Sequence, residues 1–321
     1  MTISIRTKES DLDNVLPSVS ELMTDRFRKL YYTDLDSQQV VLEVDKVMDC
    51  DPYPIPMPID RENYGTVKSS ARYWATGRSD WLNIQEAIAR FGAGPGDFMR
   101  YLDFGCASGR VLRHAMTSSP IETDLWGCDF APTNIDWMKR YLPSSVKGFV
   151  NNANPHLPFP DHTFDLVSAF SVFTHIDLFE DAWLLELKRI THPDGLIYLT
   201  VQNEASWLRI PEREELLKHL EYANNISGNP FTVTPEIFLE PMPLDRIVIR
   251  MTEDINYNCN VWHSTEYIEN LWSRYFDILH VADNAHTNFQ SAVILRPKRE
   301  GRSSNVSGRS FGAETKRPKP R

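Results

Sequence analysis

Between Met99 and Val201, short apolar runs alternate with longer stretches whose apolar residues recur at helical spacing. The runs Met99–Leu102, Asp124–Cys128, Val146–Val150, Phe164–Phe170 and Leu196–Val201 read as buried strands. Between them, Val111 to about Ser118 carries a helical period. Ala131–Leu142 turns Ile135, Met138 and Leu142 to one side, and Phe179–Ile190 does the same with Trp183, Leu184, Leu187 and Ile190. Alternating strands and helices predict an α/β fold with a doubly wound, mostly parallel sheet and helices on both faces. Phe276–Val281 and Ser291–Leu295 add two terminal strands, expected to be antiparallel, and raise the sheet to seven.

The flanks read differently. Leu12–Leu30 can be written as an amphipathic helix, while Val40–Val47 is ambiguous. Asp51-Pro-Tyr-Pro-Ile-Pro-Met-Pro58 is stiffened by proline and extended. It reads either as a linker or as a strap across the mouth of a site. Ser79 or Asp80 is placed to cap a helix over Trp81–Arg90 that Gly92 ends. After the fifth strand, Pro211–Tyr222 is a charged helix, and the chain to about Asp254 is irregular, without sheet. Thr265–Trp272 is the last helix. The domain organisation expected is an N-terminal extension over residues 1–78, a core domain over 79–298 with a lid insertion near 203–256, and a tail over 299–321. The tail has hardly any apolar residue, so it is expected to be disordered.

Charge narrows the partners. The net charge of the 321 residues is −10, and the stretch from Lys298 holds eight Lys/Arg against two Asp/Glu, which leaves the body at −16. An acidic body disfavours nucleic acid, whose binding rests on phosphate neutralisation. The four cysteines form no C-x-x-C pair, which argues against structural zinc and for a reducing compartment. The first residues are polar with no apolar leader, and no apolar run is long enough to span a bilayer, so a cytoplasmic location is expected. No carboxylate cluster has metal-ligand spacing.

The chemistry gathers around Tyr101-Leu-Asp-Phe-Gly-Cys-Ala-Ser-Gly-Arg110, a strand, glycine loop and helix in sequence. Such loops lie at the carboxyl ends of strands, where open α/β sheets bind ligands, and the helix behind presents free N–H groups. A dinucleotide fingerprint would place Gly105, Ala107 and Arg110 at its three small positions, and arginine fits the third poorly. Asp129, some twenty residues on at the end of the second strand, suits ribose hydroxyls or a helix cap.

With Asp103 ahead of it, the loop resembles motif I of class I S-adenosylmethionine (SAM)-dependent methyltransferases, an acid followed by G-x-G-x-G with Ala107 in the middle slot. Three later stretches resemble the same family. They are the Leu-Pro-Phe and Phe-Asp-Leu-Val signatures within Asn151–Val167, the Ser171-Val-Phe-Thr-His175 stretch after the fourth strand, and Glu186–Gly195, where Asp194 stands in for a glycine. The resemblance implies a seven-stranded Rossmann-like fold with SAM as cofactor. It further implies that Asp103, Gly105, Ala107 and Gly109 face the methionine part and that Asp129 binds the ribose. By the same resemblance Phe130 lies against the adenine, Asn152 and Ala153 (with Asn151 and Asn154 as alternative registers) meet the adenine edge, and Phe170 and Ser171 close the site.

His175 follows the fourth strand, where an acceptor should meet the methyl group. It reads as the general base for a hydroxyl acceptor or as a cap for the next helix, and His263 is the second candidate base. His156 and His162 read as solvated. The aromatics Tyr64, Tyr73, Trp74, Trp207, Phe231, Phe238, Tyr257 and Trp262 read as core or as the walls of a site for a flat or sugar-like small-molecule acceptor. The competing readings are a nucleotide-dependent oxidoreductase using NAD(P) and a SAM-binding module without catalysis.

Overall fold

The structure is a computed structural model that describes residues 51–61, 70–93, 98–119, 122–254 and 256–299. The strands are β1 (Phe98–Phe104), β2 (Glu122–Asp129), β3 (Val146–Val150), β4 (Phe164–Ala169), β5 (Thr191–Val201), β6 (Arg246–Arg250), β7 (Cys259–His263), β8 (Phe276–His286) and β9 (Gln290–Pro297). The helices are α1 (Ser70–Phe91), α2 (Leu112–Ser118), α3 (Pro132–Tyr141), α4 (Glu180–Ile190), α5 (Glu204–Trp207), α6 (Glu214–Tyr222) and α7 (Thr265–Leu271). Seven strands form one sheet in the order β3-β2-β1-β4-β5-β9-β8. The first five run parallel, and β9 enters antiparallel between β5 and β8.

Both faces of this sheet are buried, which is why its strands read as near-continuous apolar runs. Met99 and Tyr101 of β1, Leu196 and Tyr198 of β5, and Ala292 and Ile294 of β9 face a core built with α1, α2 and α3. Their neighbours Leu102, Phe104, Ile197, Leu199, Val293 and Leu295 face the opposite core, filled by Trp183, Leu184 and Leu187 of α4 and Ile268 of α7. The period of two thus sorts each strand between two helical layers. The helix expected from Val111 and the strand expected from Met99 are found with their ends moved by one to two residues. The expected Leu12–Leu30 helix, Val40–Val47 and the tail beyond Arg299 lie outside the described residues.

Two expectations change. Helix α1 begins at Ser70 rather than Trp81, so the boundary drawn at 78/79 falls inside it and neither Ser79 nor Asp80 caps it. Asp80, read as a cap, serves packing instead, and so does Gly77. A Cβ on Gly77 would sit 2.3 Å from the Arg110 carbonyl oxygen, so only glycine lets α1 lie this close to the turn into α2. Asp80 is fully buried.

The second change lies in the insertion. The stretch read as irregular contains β6, which pairs antiparallel with β7 in a separate two-stranded sheet. Ile247 and Ile249 are buried and alternate with the half-buried Arg246, Val248 and Arg250, and together with Trp207, Phe238 and Trp262 they form a third core. The insertion therefore runs on to His263. It is fastened to the loop after β4 by ion pairs. Arg246 Nε lies 2.7 Å from Glu180 Oε2, and Arg250 Nε donates to Asp177 Oδ2 at 2.8 Å.

At the other end, Asp51 accepts from Trp74 Nε1 at 2.8 Å and pairs with the buried Arg113 at 2.9 Å. Arg113 also donates to the Tyr53 and Pro54 carbonyls. The proline segment is thereby held against α1 and α2, and it ends in a 3₁₀ turn at Pro58–Arg61.

Gly77→Ala tests the close contact. Helix propensity alone would favour alanine by about 1 kcal/mol. The backbone overlap costs about 1–3 kcal/mol, so the midpoint of urea unfolding is expected to fall. A rise would show that α1 does not press on the turn.

Candidate active site

The carboxyl ends of β1, β2, β3 and β4 open into one cavity of about 530 Å³, within the range of small-molecule sites. Its lining brings together Asp103, the glycine loop from Gly105 to Ala107, Asp129, Phe130, Asn152, Ala153, Phe170, Ser171 and His175. Asp103 and His175, far apart in sequence, therefore share one space, as the parallel topology requires.

The glycine loop is shaped by backbone demand. Gly105, Ala107 and Gly109 have φ of +75°, +46° and +80°. The Gly105 and Cys106 N–H groups both donate to the Cys128 carbonyl, at 2.8 and 2.9 Å, which lays the loop over the end of β2. Ala107 is held in the left-handed region at a cost of about 1–2 kcal/mol, and its N–H donates to Asp129 Oδ2 at 2.9 Å. Oδ1 of Asp129 accepts from the Ala131 N–H at 2.9 Å, an Asx turn ahead of α3, whose N-cap Ala131 has no side-chain cap bond. Of the two sequence readings of Asp129, the cap is not found, and the side chain lines the cavity. Burial raises its pKa, with the backbone N–H donors of Ala131 and Ala107 working against that rise.

Asp103 is 2% exposed. It accepts from Ser168 Oγ at 2.6 Å, and Ser168 in turn lies 2.7 Å from the Tyr101 hydroxyl. Burial pushes its pKa up to about 7, opposed by the Ser168 hydrogen bond and the Arg110 charge. Ser171 sits at φ +56°, its N–H on Thr200 Oγ1 at 2.7 Å, and Gln290 of β9 bonds to both hydroxyls. Phe130 is 63% exposed. Its ring centroid lies 6.4 Å from that of Tyr257, whose hydroxyl donates to the Ala153 carbonyl at 2.8 Å.

His175 lines the cavity. Its Nδ1 lies 2.6 Å from the Cys259 carbonyl. A carbonyl only accepts, so the proton is on Nδ1 and the lone pair of the neutral ring is on Nε2. Although the ring edge is open at the mouth, the surrounding protein removes enough water to hold its pKa below the ordinary histidine value, opposed by the Cys259 hydrogen bond. His263 is elsewhere. It is fully buried, with Nε2 at 3.1 Å from Glu180 Oε2, and it does not line the cavity. Burial would raise the Glu180 pKa, but His263 and Arg246 overcome it and hold it at about 2. His156 and His162 also lie outside the cavity lining.

Of the aromatics, Tyr73 and Tyr257 line the cavity, whereas Trp207, Phe231, Phe238 and Trp262 belong to the core of the insertion. Trp74 packs edge-on to His114, and Tyr64 lies outside the described residues. Sequence reasoning missed Arg61, Val172, Ile176, Trp183 and Asn258 in the lining, and it treated Arg110 only as a misfit. The misfit has a physical account. Arg110 turns away from the helix–strand contact, with Nη1 at 2.6 Å from Asp80 Oδ2 and its guanidinium 5.7 Å from the Phe170 ring.

Residues 73–239 match the family described as "Methyltransferase domain". No curated protein sequence matches the chain. Among solved structures it is similar to the PH0226 protein of Pyrococcus horikoshii OT3, at 20% identity over 74% of this chain and 99% of that one, with a TM-score of 0.47. It is also similar to a SAM-dependent methyltransferase of Methanosarcina mazei, at 17% identity over 67% and 98%, with a TM-score of 0.44. A third similar structure is the CMeT domain of the citrinin polyketide synthase, at 15% identity over 76% and 58%, with a TM-score of 0.46.

Asp80 also lies 2.9 Å from His286 Nδ1 of β8, so Asp80→Ala would leave Arg110 and His286 without their shared carboxylate. Breaking a buried pair of this kind costs about 3–5 kcal/mol. The measurement is chemical unfolding at neutral pH, and a loss below about 1 kcal/mol would mean that the pair stabilises nothing.

Proposed function

The chain belongs to the methyltransferase-domain family, and we propose that it transfers a methyl group from SAM to an oxygen of a small-molecule or sugar-like acceptor. The observation that carries this reading is one cavity lined by Asp103, the glycine loop, Asp129, Phe130 and His175 together. The residues fit the cofactor. Positive φ at Gly105 lets the loop backbone approach a ligand, and the exposed Phe130 ring offers a face to a flat base, whereas Gly109 lies outside the lining and packs on Met138 of α3 and on Leu142 just past it. Asp129 keeps lone pairs beyond its backbone bonds for a vicinal diol. Tyr257, tied to Ala153, covers the same end from the insertion. The proline segment ending at Arg61 acts as a strap beside the glycine loop.

Bound there, SAM supplies a methyl group on a sulfonium whose departure as a thioether needs no acid. The protein's task is then to align the acceptor oxygen with the methyl carbon and to exclude water. Phe170, Val172, Ile176 and Trp183 give the lining its apolar part. His175 Nε2 takes the hydroxyl proton, while the Cys259 carbonyl fixes the tautomer through Nδ1. A nucleotide-dependent oxidoreductase is disfavoured by Asp103 and Arg110 at the loop.

Calorimetry with SAM, NAD and NADP tests the cofactor, and SAM alone is expected to bind. Below pH 7 Asp103 is protonated in the ligand-free protein. A cationic amino group nearby favours its ionised form, so binding releases a proton. Affinity should therefore rise by up to about tenfold per pH unit toward pH 7 and level off above it. Asp103→Asn should flatten that profile, and an equally steep profile in the variant would remove Asp103 from cofactor binding.

His175→Ala should lower turnover by about 10²–10⁴-fold with cofactor affinity nearly unchanged. At saturating SAM the wild-type rate should climb with pH through an apparent pKa below about 6.5, because burial depresses His175 and its base form is present above that point. Wild-type turnover in the variant would show that alignment alone carries the reaction.

A further inference from the structure

Resting on that reading of the cavity, we propose that Ser168 and Tyr101 are positioning residues that hold the Asp103 carboxylate ready for the cofactor's ammonium group. Of the three, Asp103 alone lines the cavity. Their line-up follows from the sheet. A period of two puts Tyr101 and Asp103 on one side of β1, and the parallel register sets Ser168 of β4 beside Asp103. Tyr101 and Ser168 are fully buried. The phenol is anchored by its ring, which stacks on Trp81 of α1 with centroids 5.6 Å apart. Its hydroxyl lies 2.7 Å from Ser168 Oγ, and Ser168 Oγ donates to Asp103 Oδ1 at 2.6 Å.

The direction of this chain is forced once Asp103 ionises. A carboxylate only accepts, so Ser168 gives its single proton to Asp103 and its lone pair takes the Tyr101 proton. Burial drives the Tyr101 pKa far above the ordinary phenol value, and the Asp103 charge adds to that rise, so the hydroxyl keeps its proton to donate. Both O–H dipoles then point at the charge, and each polarises the next. A neutral carboxylic acid gains less from the same arrangement. The pair therefore works against burial, which would otherwise carry Asp103 above about 7. The charges around Asp103 act more weakly than Ser168. Arg110, from the turn into α2, favours the carboxylate, while Asp80 of α1 and Asp129 at the end of β2 oppose it. Arg110 is itself paired with Asp80, so the direct contact to the carboxylate comes from Ser168.

The test is the affinity of the full chain for S-adenosylhomocysteine, by calorimetry from about pH 5 to about pH 9. In the wild type the affinity should level off near pH 7, above which ligand-free Asp103 is ionised. Ser168→Ala should move that break up by about one pH unit or more, because a hydrogen bond to a charged group is lost. Affinity should then be about tenfold lower at acidic pH and close to wild type near about pH 9. Tyr101→Phe keeps the ring on Trp81 and should move the break the same way by less. It decides the matter if Ser168→Ala does not fold. A purely structural role would lower the melting temperature or weaken binding equally at every pH. An unmoved break, or a uniform loss of affinity, in either variant overturns the pair. A wild type that binds no S-adenosylhomocysteine fails the SAM reading instead. The carboxyl carbon resonance of Asp103, assigned with Asp103→Asn, then reads the same shift in the ligand-free variants, and an unshifted titration there overturns the pair as well.

Discussion

A fully buried carboxylate, Asp80, holds the site together from below. It pairs with Arg110, the last residue of the turn out of the glycine loop, at 2.6 Å, and with His286 of β8 at 2.9 Å. Burial would raise its pKa, but the His286 and Arg110 charges overcome it and keep it ionised. One side chain of α1 thereby fixes the loop against the far edge of the sheet. The pair also decides how α1 can lie, because Gly77 must pass within contact of the Arg110 carbonyl three residues before Asp80. Loop backbone, helix position and the orientation of Arg110 are consequences of this one burial.

A second fastening sets the opposite wall. Arg246 and Arg250, at the two ends of β6, reach Glu180 and Asp177 just beyond the loop that carries His175. β7, the partner of β6, begins at Cys259, whose carbonyl holds Nδ1 of His175. The insertion therefore does more than cover the cavity. It selects the tautomer of the proposed base, and through Tyr257 it reaches the Phe130 end as well. The geometry couples both ends of the cavity to one small antiparallel sheet.

The same burial acts in opposite directions on the two titrating groups of the cavity. It lifts Asp103 to about 7 and depresses His175, because in each case the charged form is the one that loses water. A ligand-free cavity at mildly acidic pH accordingly carries few formal charges on these groups. A cationic ligand restores the charge of Asp103 and leaves His175 as a neutral base.

The sequence by itself determined the alternating core, since strands buried on both faces must be apolar throughout and helices between two such layers must show the 3.6 period. It also placed Asp103, Gly105, Asp129 and His175 at or just past strand ends through the order of elements, while Phe130 was marked by the family resemblance. It did not reveal that α1 starts at Ser70. Asp80 carries the local signal of a cap, and the real demands on it and on Gly77 come from His286 and Arg110, which are far along the chain. β6 was hidden for a similar reason. Its Ile247 and Ile249 alternation is short, lies among prolines, and acquires meaning only against β7 and Trp207. The partners of His175 and His263 were settled in the same way. Both follow or end a strand in a plausible place, and only the tertiary structure sets one at the cavity beside a carbonyl and the other in a sealed pocket beside Glu180. Local spacing fixes which face a residue shares with its neighbours, whereas a counter-charge or hydrogen-bond partner distant in sequence is chosen by packing.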